Sequence, residues 1–311
     1  MLDDNPRREQ AIRAAWLYYE RGLNQHEVAE RLMVSRSTVS RLLADAERLG
    51  IVRVVLTEPV PEAADLSERL IQRYGLAGAS VELTIDDETP LEAAATALAR
   101  RLEHLVATGP IKIATGWGRT LGTAAQRVRR THTSGVTIVD AFGHTTTYEI
   151  ANAVEVSNTL GNKFGARVLH IPSPGFAASA EVAANFYESE PVATTLDIAR
   201  SADVVIVSVG VVGADSLLRS AGYVDDATME EVMAEGAVAE IFGRYFGLDG
   251  HLIRPDALHP ISLTIEDLRA STRVIAAVGG VDKTDAVRGA IATGVIDEIA
   301  TDDTLARALL A

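Results

Sequence analysis

Two glycine-rich stretches hold the residues best placed to do chemistry. In the first, Thr115-Gly116-Trp117-Gly118-Arg119-Thr120-Leu121-Gly122 follows an apolar strand pattern and opens a helical one. Backbone N–H groups at such a helix start make an anion site, glycines let the anion approach closely, and Arg119 and Thr120 add a charge and a hydroxyl. In the second, Gly279-Gly280-Val281-Asp282-Lys283 repeats the order strand, glycine turn, helix. Lys283 then falls in the first helical turn, where it can meet an anion already favoured by the helix end. The plain alternatives are a tight strand-to-helix turn without a ligand and a solvated surface lysine. Gly116-x-Gly118-x-x-x-Gly122 is also a dinucleotide-binding spacing, with Asp140 ending the next strand 22 residues after Gly118, where a ribose-binding acid would fall. Against an NAD(P)-dependent enzyme stand the bulky Trp117 ring inside the loop and the want of a Tyr-x-x-x-Lys pair for hydride transfer. No cofactor is expected.

Further groups bear on the same chemistry. Glu240 is flanked by Val238, Ala239, Ile241 and Phe242; an unpaired buried carboxylate is costly, so a specific contact is expected of it. The strand end Asp140-Ala141-Phe142-Gly143 should lie beside the first loop, at the carboxyl edge where open α/β sheets bind ligands. There Asp140 either hydrogen-bonds sugar hydroxyls or caps the following turn. Histidines 26, 104, 132, 144, 170, 251 and 259 show neither His-x-x-x-His nor His-Glu-x-x-His spacing, and no metal is expected. Ser173 and Ser208 lack a Gly-x-Ser-x-Gly elbow. The chain has no cysteine, which rules out disulfides, thiolate catalysis and iron–sulfur clusters and fits a reducing compartment.

A different chemistry is written near the N-terminus. Ser35 can cap a helix whose apolar residues Val39, Leu42, Leu43 and Ala46 recur at helical spacing. With those turned inward, Arg36, Ser37, Ser40 and Arg41 share the solvent side near the helix start, with Thr38 beside them. Arginine binds guanine bidentately, and serine or threonine reaches phosphates or base edges. Before this helix, Asn24 with Glu27 three residues later is a capping-box start, and Val28, Ala29 and Leu32 face inward. An earlier helix over residues 8–21 is expected to bury a stripe of Ile12, Ala15, Trp16 and Tyr19, and residues 51–56 read as a strand. Three helices and a strand match a winged helix-turn-helix; the alternative is a three-helix packing element.

The elements that position the glycine loops follow. Strands are expected at residues 78–83, 111–115, 136–140, 167–171, 203–210, 273–278 and 296–300, with helices between them that include residues 90–106, 120–129, 147–164, 228–235, 283–292 and 304–310. Strands apolar on both faces, such as residues 204–210, belong to a parallel sheet covered by helices on both sides, so the large domain is a doubly wound, Rossmann-like α/β fold. The chain of 311 residues is long enough for this domain and a small one, joined at the proline-rich residues 58–61: residues 1–57 bind DNA and residues 58–311 bind an effector and oligomerise. Its net charge of -14 divides unevenly. Residues 1–57 hold nine Arg against eight Asp or Glu, net +1, leaving 20 basic and 35 acidic residues, net -15, in the rest. DNA attraction depends on local potential, so total acidity does not exclude it. No run approaches the roughly 20 apolar residues of a membrane helix, and residues 1–10 lack a signal peptide's apolar stretch, so no membrane partner and a cytoplasmic location are expected.

Residues 12–54 closely resemble the DNA-binding segment of the SorC/DeoR-type sugar-binding bacterial transcriptional regulators. The resemblance continues through TGWGRTL (115–121), SADVVIVSVG (201–210), AVAEIFGRYFGLDG (237–250) and VIAAVGGVDKTDAVRGAI (274–291). It implies a large domain like the sugar-phosphate isomerase and glucosamine-phosphate deaminase fold, turned from catalysis to sensing. It implies a homo-dimer or homo-tetramer that releases operator DNA, or alters its grip, when a sugar, polyol or phosphosugar binds. The resemblance gives Lys283 and Glu240 effector contacts, the latter to hydroxyls. Some relatives carry an imine-forming lysine near the strand end where this chain has Asp140, so imine formation is not expected here. The competing reading is an enzyme, a sugar-phosphate isomerase or deaminase or an NAD(P)-dependent enzyme, using the Gly116/Gly118/Gly122 loop; it would need an acid/base pair, and no His-Asp or Glu-His spacing supplies one.

Overall fold

A computed structural model describes residues 6–52, 61–85, 87–145 and 152–311. The chain divides into two compact units, Met1–Val60 and Pro61–Ala311.

In the first unit, α1 (Pro6–Ala15) runs into a π-helical turn (Trp16–Glu20), followed by α2 (Gln25–Leu32) and α3 (Arg36–Arg48). The capping box at Asn24 and Glu27 is formed, and Ser35 caps α3. Val28, Ala29, Val39, Leu42, Leu43 and Ala46 are buried together; each large apolar side chain removed from water contributes roughly 1.5–3 kcal/mol. The first helix departs from expectation. Its buried residues are Ala11, Ala14, Ala15 and Leu17, whereas Ile12, Trp16 and Tyr19 stay 44, 47 and 41% exposed. Small alanines let α1 lie close on α3, which turns Ala11, Ala14 and Ala15 inward and leaves Ile12, and Trp16 at the first residue of the π-turn, outward. Of the strand expected at residues 51–56, Ile51 and Val52 are not in a strand, and residues 53–56 lie outside the described residues, as do residues 58–60 of the expected linker.

In the second unit, α4 (Glu62–Tyr74) is followed by thirteen strands among the described residues. They are β1 (Gly78–Glu82), β2 (Ile111–Thr115), β3 (Val136–Asp140), β4 (Arg167–Leu169), β5 (Phe176–Ala177), β6 (Val204–Ser208) and β7 (Gly210–Val211). Then come β8 (Ala237–Ile241), β9 (Arg244–Gly247), β10 (Leu252–Ile253), β11 (His259–Pro260), β12 (Val274–Ala277) and β13 (Glu298–Asp302). Seven form an all-parallel sheet in the order β1-β13-β12-β6-β2-β3-β4. Alternate residues of one strand enter different cores: Val205 and Val207 of β6 join one cluster, Val204 and Ile206 the other. Helices α5 (Pro90–Ala107), α6 (Arg119–Arg127) and α7 (Ala153–Phe164) contribute to the second cluster. Residues 147–151, expected to start α7, are outside the described residues.

The chain leaves β2 toward β3 and β4, then returns to β6 on the other side of β2. The strand order therefore reverses between β2 and β6, the position at which open α/β sheets bind ligands. Two smaller sheets, β10-β9-β8-β7 and β11-β5, are antiparallel additions. The first turns the expected strand over residues 203–210 into two strands of different sheets. Among the described residues no helix is long and apolar enough to cross a membrane.

Candidate functional site

The cleft at the reversal is built from three loops and the turn after β12 that carries Lys283. After β2, Gly116 and Trp117 lead to Gly118, whose φ of +128° is open to glycine, and Arg119 starts α6. A Cβ on Gly116 would run into the Phe242 ring, so this position needs glycine for space rather than for dihedral angle. From the end of β6 into β7, Ser208 to Val211 form a second wall. The third wall is the β8–β9 hairpin: Ile241 pairs with Arg244, and the two turn residues Phe242 and Gly243 have φ of +53° and +74°. Both positive angles are those of a tight type I′ turn. Phe242 tolerates its angle because its ring is held at 6.0 Å from Phe142 and beneath Gly116.

Of the residues expected to bind an effector, Trp117, Gly118, Arg119, Thr120, Glu240 and Lys283 line this cleft together, with Ser208, Gly210, Asp215 and Phe242. Arg119 and Lys283 form no ion pair with any described residue. Burial pulls the Lys283 ammonium below the usual lysine range, and the Arg119 charge adds to this, against Asp282 and Asp302. Two cations converging on one space favour an anion between them. Lys283 itself closes a short 3-10 turn, Val281–Lys283, and precedes the helix Thr284–Ala292 instead of opening it.

Glu240 is buried, and burial pushes its carboxyl up to about 7. The Gly243 N–H, which donates to Oε1, and the Arg244 guanidinium pull the other way. Oε2 faces Gly210, where a Cβ would stand only 2.5 Å away. That leaves one carboxylate oxygen tied to the turn and one directed at the cleft wall.

The other expected residues lie elsewhere. Asp140 pairs with Thr115 across β2 and β3 but does not line the cleft. Its Oδ2 sits 3.0 Å from His170 Nδ1, while Oδ1 is buried with no hydrogen-bond partner. The Asp140 carboxylate holds the His170 imidazole above the ordinary histidine range. A ribose-binding acid would have to line the cleft, and Asp140 does not, which weighs against dinucleotide binding. Phe142 stacks on Trp117 at 5.6 Å and 14°, a floor beneath the loop rather than a lining residue. The Gly143 N–H donates to the Ile261 carbonyl, and Gly279 packs on the Pro90 carbonyl; Gly280 donates to Asp302 Oδ2. These glycines shape the loops without lining the cleft. Sequence reasoning weighed Ser208 only as a hydrolase nucleophile and passed over Asp215; the signal available was their position at and beyond the end of the strand that neighbours β2. His170 had none, being a single histidine after a three-residue strand.

In the first unit, Ser35 Oγ accepts the Thr38 N–H at 3.1 Å and lies 2.8 Å from both the Ser37 and Thr38 hydroxyls. Thr38 is half-buried in this cap, whereas Arg36, Ser37, Ser40 and Arg41 are exposed on the face opposite Val39 and Leu42. Arg36 also borders a hollow with Asn24, Gln25 and His26 at the start of α2, two of which, Gln25 and His26, were not anticipated.

A capped helix presenting exposed arginines, in a chain whose other unit has its cleft at a sheet reversal, fits a DNA-binding regulator with a ligand-binding domain. Residues 58–311 match the family described as "Putative sugar-binding domain", and residues 8–60 match the MarR family. The chain is 31% identical to the erythritol catabolism regulatory protein EryD of Brucella abortus, over 96% of each. It is 27% identical to the deoxyribonucleoside regulator of Bacillus subtilis, over 99% of each. The full-length sorbitol operon regulator SorC of Klebsiella pneumoniae superposes with a TM-score of 0.74 at 22% identity, covering 99% of this chain and 100% of that one, a likeness of fold. The chain belongs to the SorC/DeoR-type sugar-binding transcriptional regulators. These relatives are regulators rather than enzymes, and the isomerase, deaminase and oxidoreductase readings fall away.

Proposed function

We propose that this regulator binds an operator near a carbohydrate catabolic operon through Ser35, Arg36, Ser37, Thr38, Ser40 and Arg41, and that a sugar, polyol or phosphosugar in the β2/β6 cleft controls its grip. Residues 1–57 act on DNA; residues 58–311 sense the effector and hold a homo-dimer or homo-tetramer together in the cytoplasm. The observation that carries this reading is the cleft itself. Arg119, Lys283 and the N-terminus of α6 supply a seat for an anion, and Glu240 and Asp215 supply acceptors for hydroxyls. A relative named for erythritol catabolism adds polyols to the candidates.

The test is a gel shift with DNA from the region upstream of the chain's own gene, with and without sugars, sugar alcohols and their phosphates, at fixed salt. Specific binding altered by one compound supports the reading. Binding no stronger than to competitor DNA sinks it.

A further inference from the structure

The turn that carries Lys283 and the helix that opens the second unit are joined through one buried acid. Asp302, at the end of β13, is fully buried, and its two oxygens serve different elements. Oδ2 accepts the Gly280 N–H at 2.8 Å, which ties the carboxylate to the turn over residues 280–283. Oδ1 accepts the Thr304 and Leu305 N–H groups at 2.9 and 3.1 Å, together with the Thr304 hydroxyl, and so caps the helix Asp303–Leu310. That helix is packed on α4. Leu305, Ala306 and Leu309 share a core with Leu66 and Leu70, and the Tyr74 hydroxyl donates to the Leu309 carbonyl at 2.7 Å. Arg307, itself paired with Asp303, donates to Glu62 Oε1 at 2.5 Å. Glu62 is the first residue of α4, and residues 58–61 lead to it from the module proposed to bind DNA.

We infer that Asp302 is a positioning residue that carries the state of the effector cleft to the first turn of α4, by way of Gly280 on one side and Arg307 on the other. This rests on the anion seat proposed above. The Asp282 and Asp302 carboxylates are the charges within the chain that favour the Lys283 ammonium. An anion seated between Arg119 and Lys283 competes with them for that ammonium and brings a further negative charge toward Asp302, where burial leaves little water to screen it. The Gly280 bond and the helix cap share one carboxylate, so a change at the turn is felt at the start of the helix Asp303–Leu310. That helix is held to both ends of α4, by Arg307 at Glu62 and by the Leu309 carbonyl at Tyr74, and it passes the change to the point where the chain enters the unit.

The test is amide hydrogen exchange on the full-length chain with and without saturating inorganic phosphate, which probes the anion seat in the absence of DNA. Phosphate is expected to slow the amides at the start of α6 and in residues 280–283. It is also expected to change exchange several-fold at Ala64 and Asp65, whose N–H groups donate to the Pro61 carbonyl in the first turn of α4. Asp302→Asn keeps an oxygen for the cap, since asparagine caps helices as well as aspartate does, but sets a donor against the Gly280 N–H. Arg307→Met keeps the apolar stem and removes the guanidinium from Glu62; lying at the surface, it tests the route even if the buried substitution disturbs folding. Each variant should still protect the start of α6 and lose the response at Ala64 and Asp65, whereas a merely structural role would shift exchange there equally with and without phosphate. A response at Ala64 and Asp65 that survives either substitution, or that is missing from the parent while its cleft amides respond, overturns the inference. Phosphate that slows no amide at the cleft removes the seat itself, and the inference falls with it.

Discussion

The Glu240 carboxyl is held near neutrality because burial opposes its charge more than one N–H and one guanidinium favour it. Its folded pKa of about 7 exceeds the ordinary 4.5, so the folded chain holds more protons than the unfolded one between those values. This contribution to stability is full below about 4.5 and is lost as pH rises through about 7. Glu240→Gln should remove that loss, leaving the variant more stable than the parent at pH 8 by on the order of 3 kcal/mol; urea titrations at acid and alkaline pH check it, and equal pH profiles refute it. His170 offers the opposite case, a base whose charged form a neighbouring carboxylate favours. Asp140→Asn should lower the His170 pKa, read from its ring proton shifts during an NMR titration, and an unmoved titration curve would show that the carboxylate is not the cause. Glu240 was legible in the sequence because a carboxylate inside an apolar run conflicts with its surroundings. The Asp140–His170 pair was not, because its partners are 30 residues apart and meet only through the β3–β4 register.

Elements were legible in proportion to how much of their pattern is local. Helices α2 and α3 announce themselves through caps and spacing, and the parallel strands through apolar runs. The β7–β10 sheet gives no such signal, since its strands have two to five residues and its defining hairpin turns on Phe242, a residue that rarely adopts positive φ. The misread stripe of α1 has another root: small Ala11, Ala14 and Ala15, rather than the larger apolar residues, fill the close approach to α3. At this scale α3 makes its own prediction. Arg36→Ala with Arg41→Ala removes two exposed cations from the face opposite the buried one without touching the core. Operator affinity should fall about a hundredfold and the salt dependence by a slope of roughly 2, one for each phosphate no longer neutralised. A weakened operator complex with an unchanged slope would instead assign both arginines to base edges, and undiminished binding would remove α3 from the interface.

Over the whole molecule, α3 and the β2/β6 cleft belong to different compact units, so in the proposed function effector and DNA are held by separate residues. Control of one by the other is then a coupling free energy between two sites, and it is reciprocal. An effector that lowers operator affinity by some factor must itself bind more weakly, by that same factor, when the operator is present. The usual range of 1–3 kcal/mol corresponds to roughly 5–150-fold, large enough to read in both directions. The measurement is a pair of titrations on the full-length chain: operator binding at saturating effector, and effector binding by calorimetry with and without saturating operator fragment. Equal factors establish that effector and operator are coupled on one protein, and loss of the coupling in Lys283→Ala is what would place the effector's end of it in the β2/β6 cleft. An effector that changes operator binding while its own affinity is indifferent to DNA would break the cycle, and would mean that the compound acts on the DNA or through a second binding site rather than through the cleft.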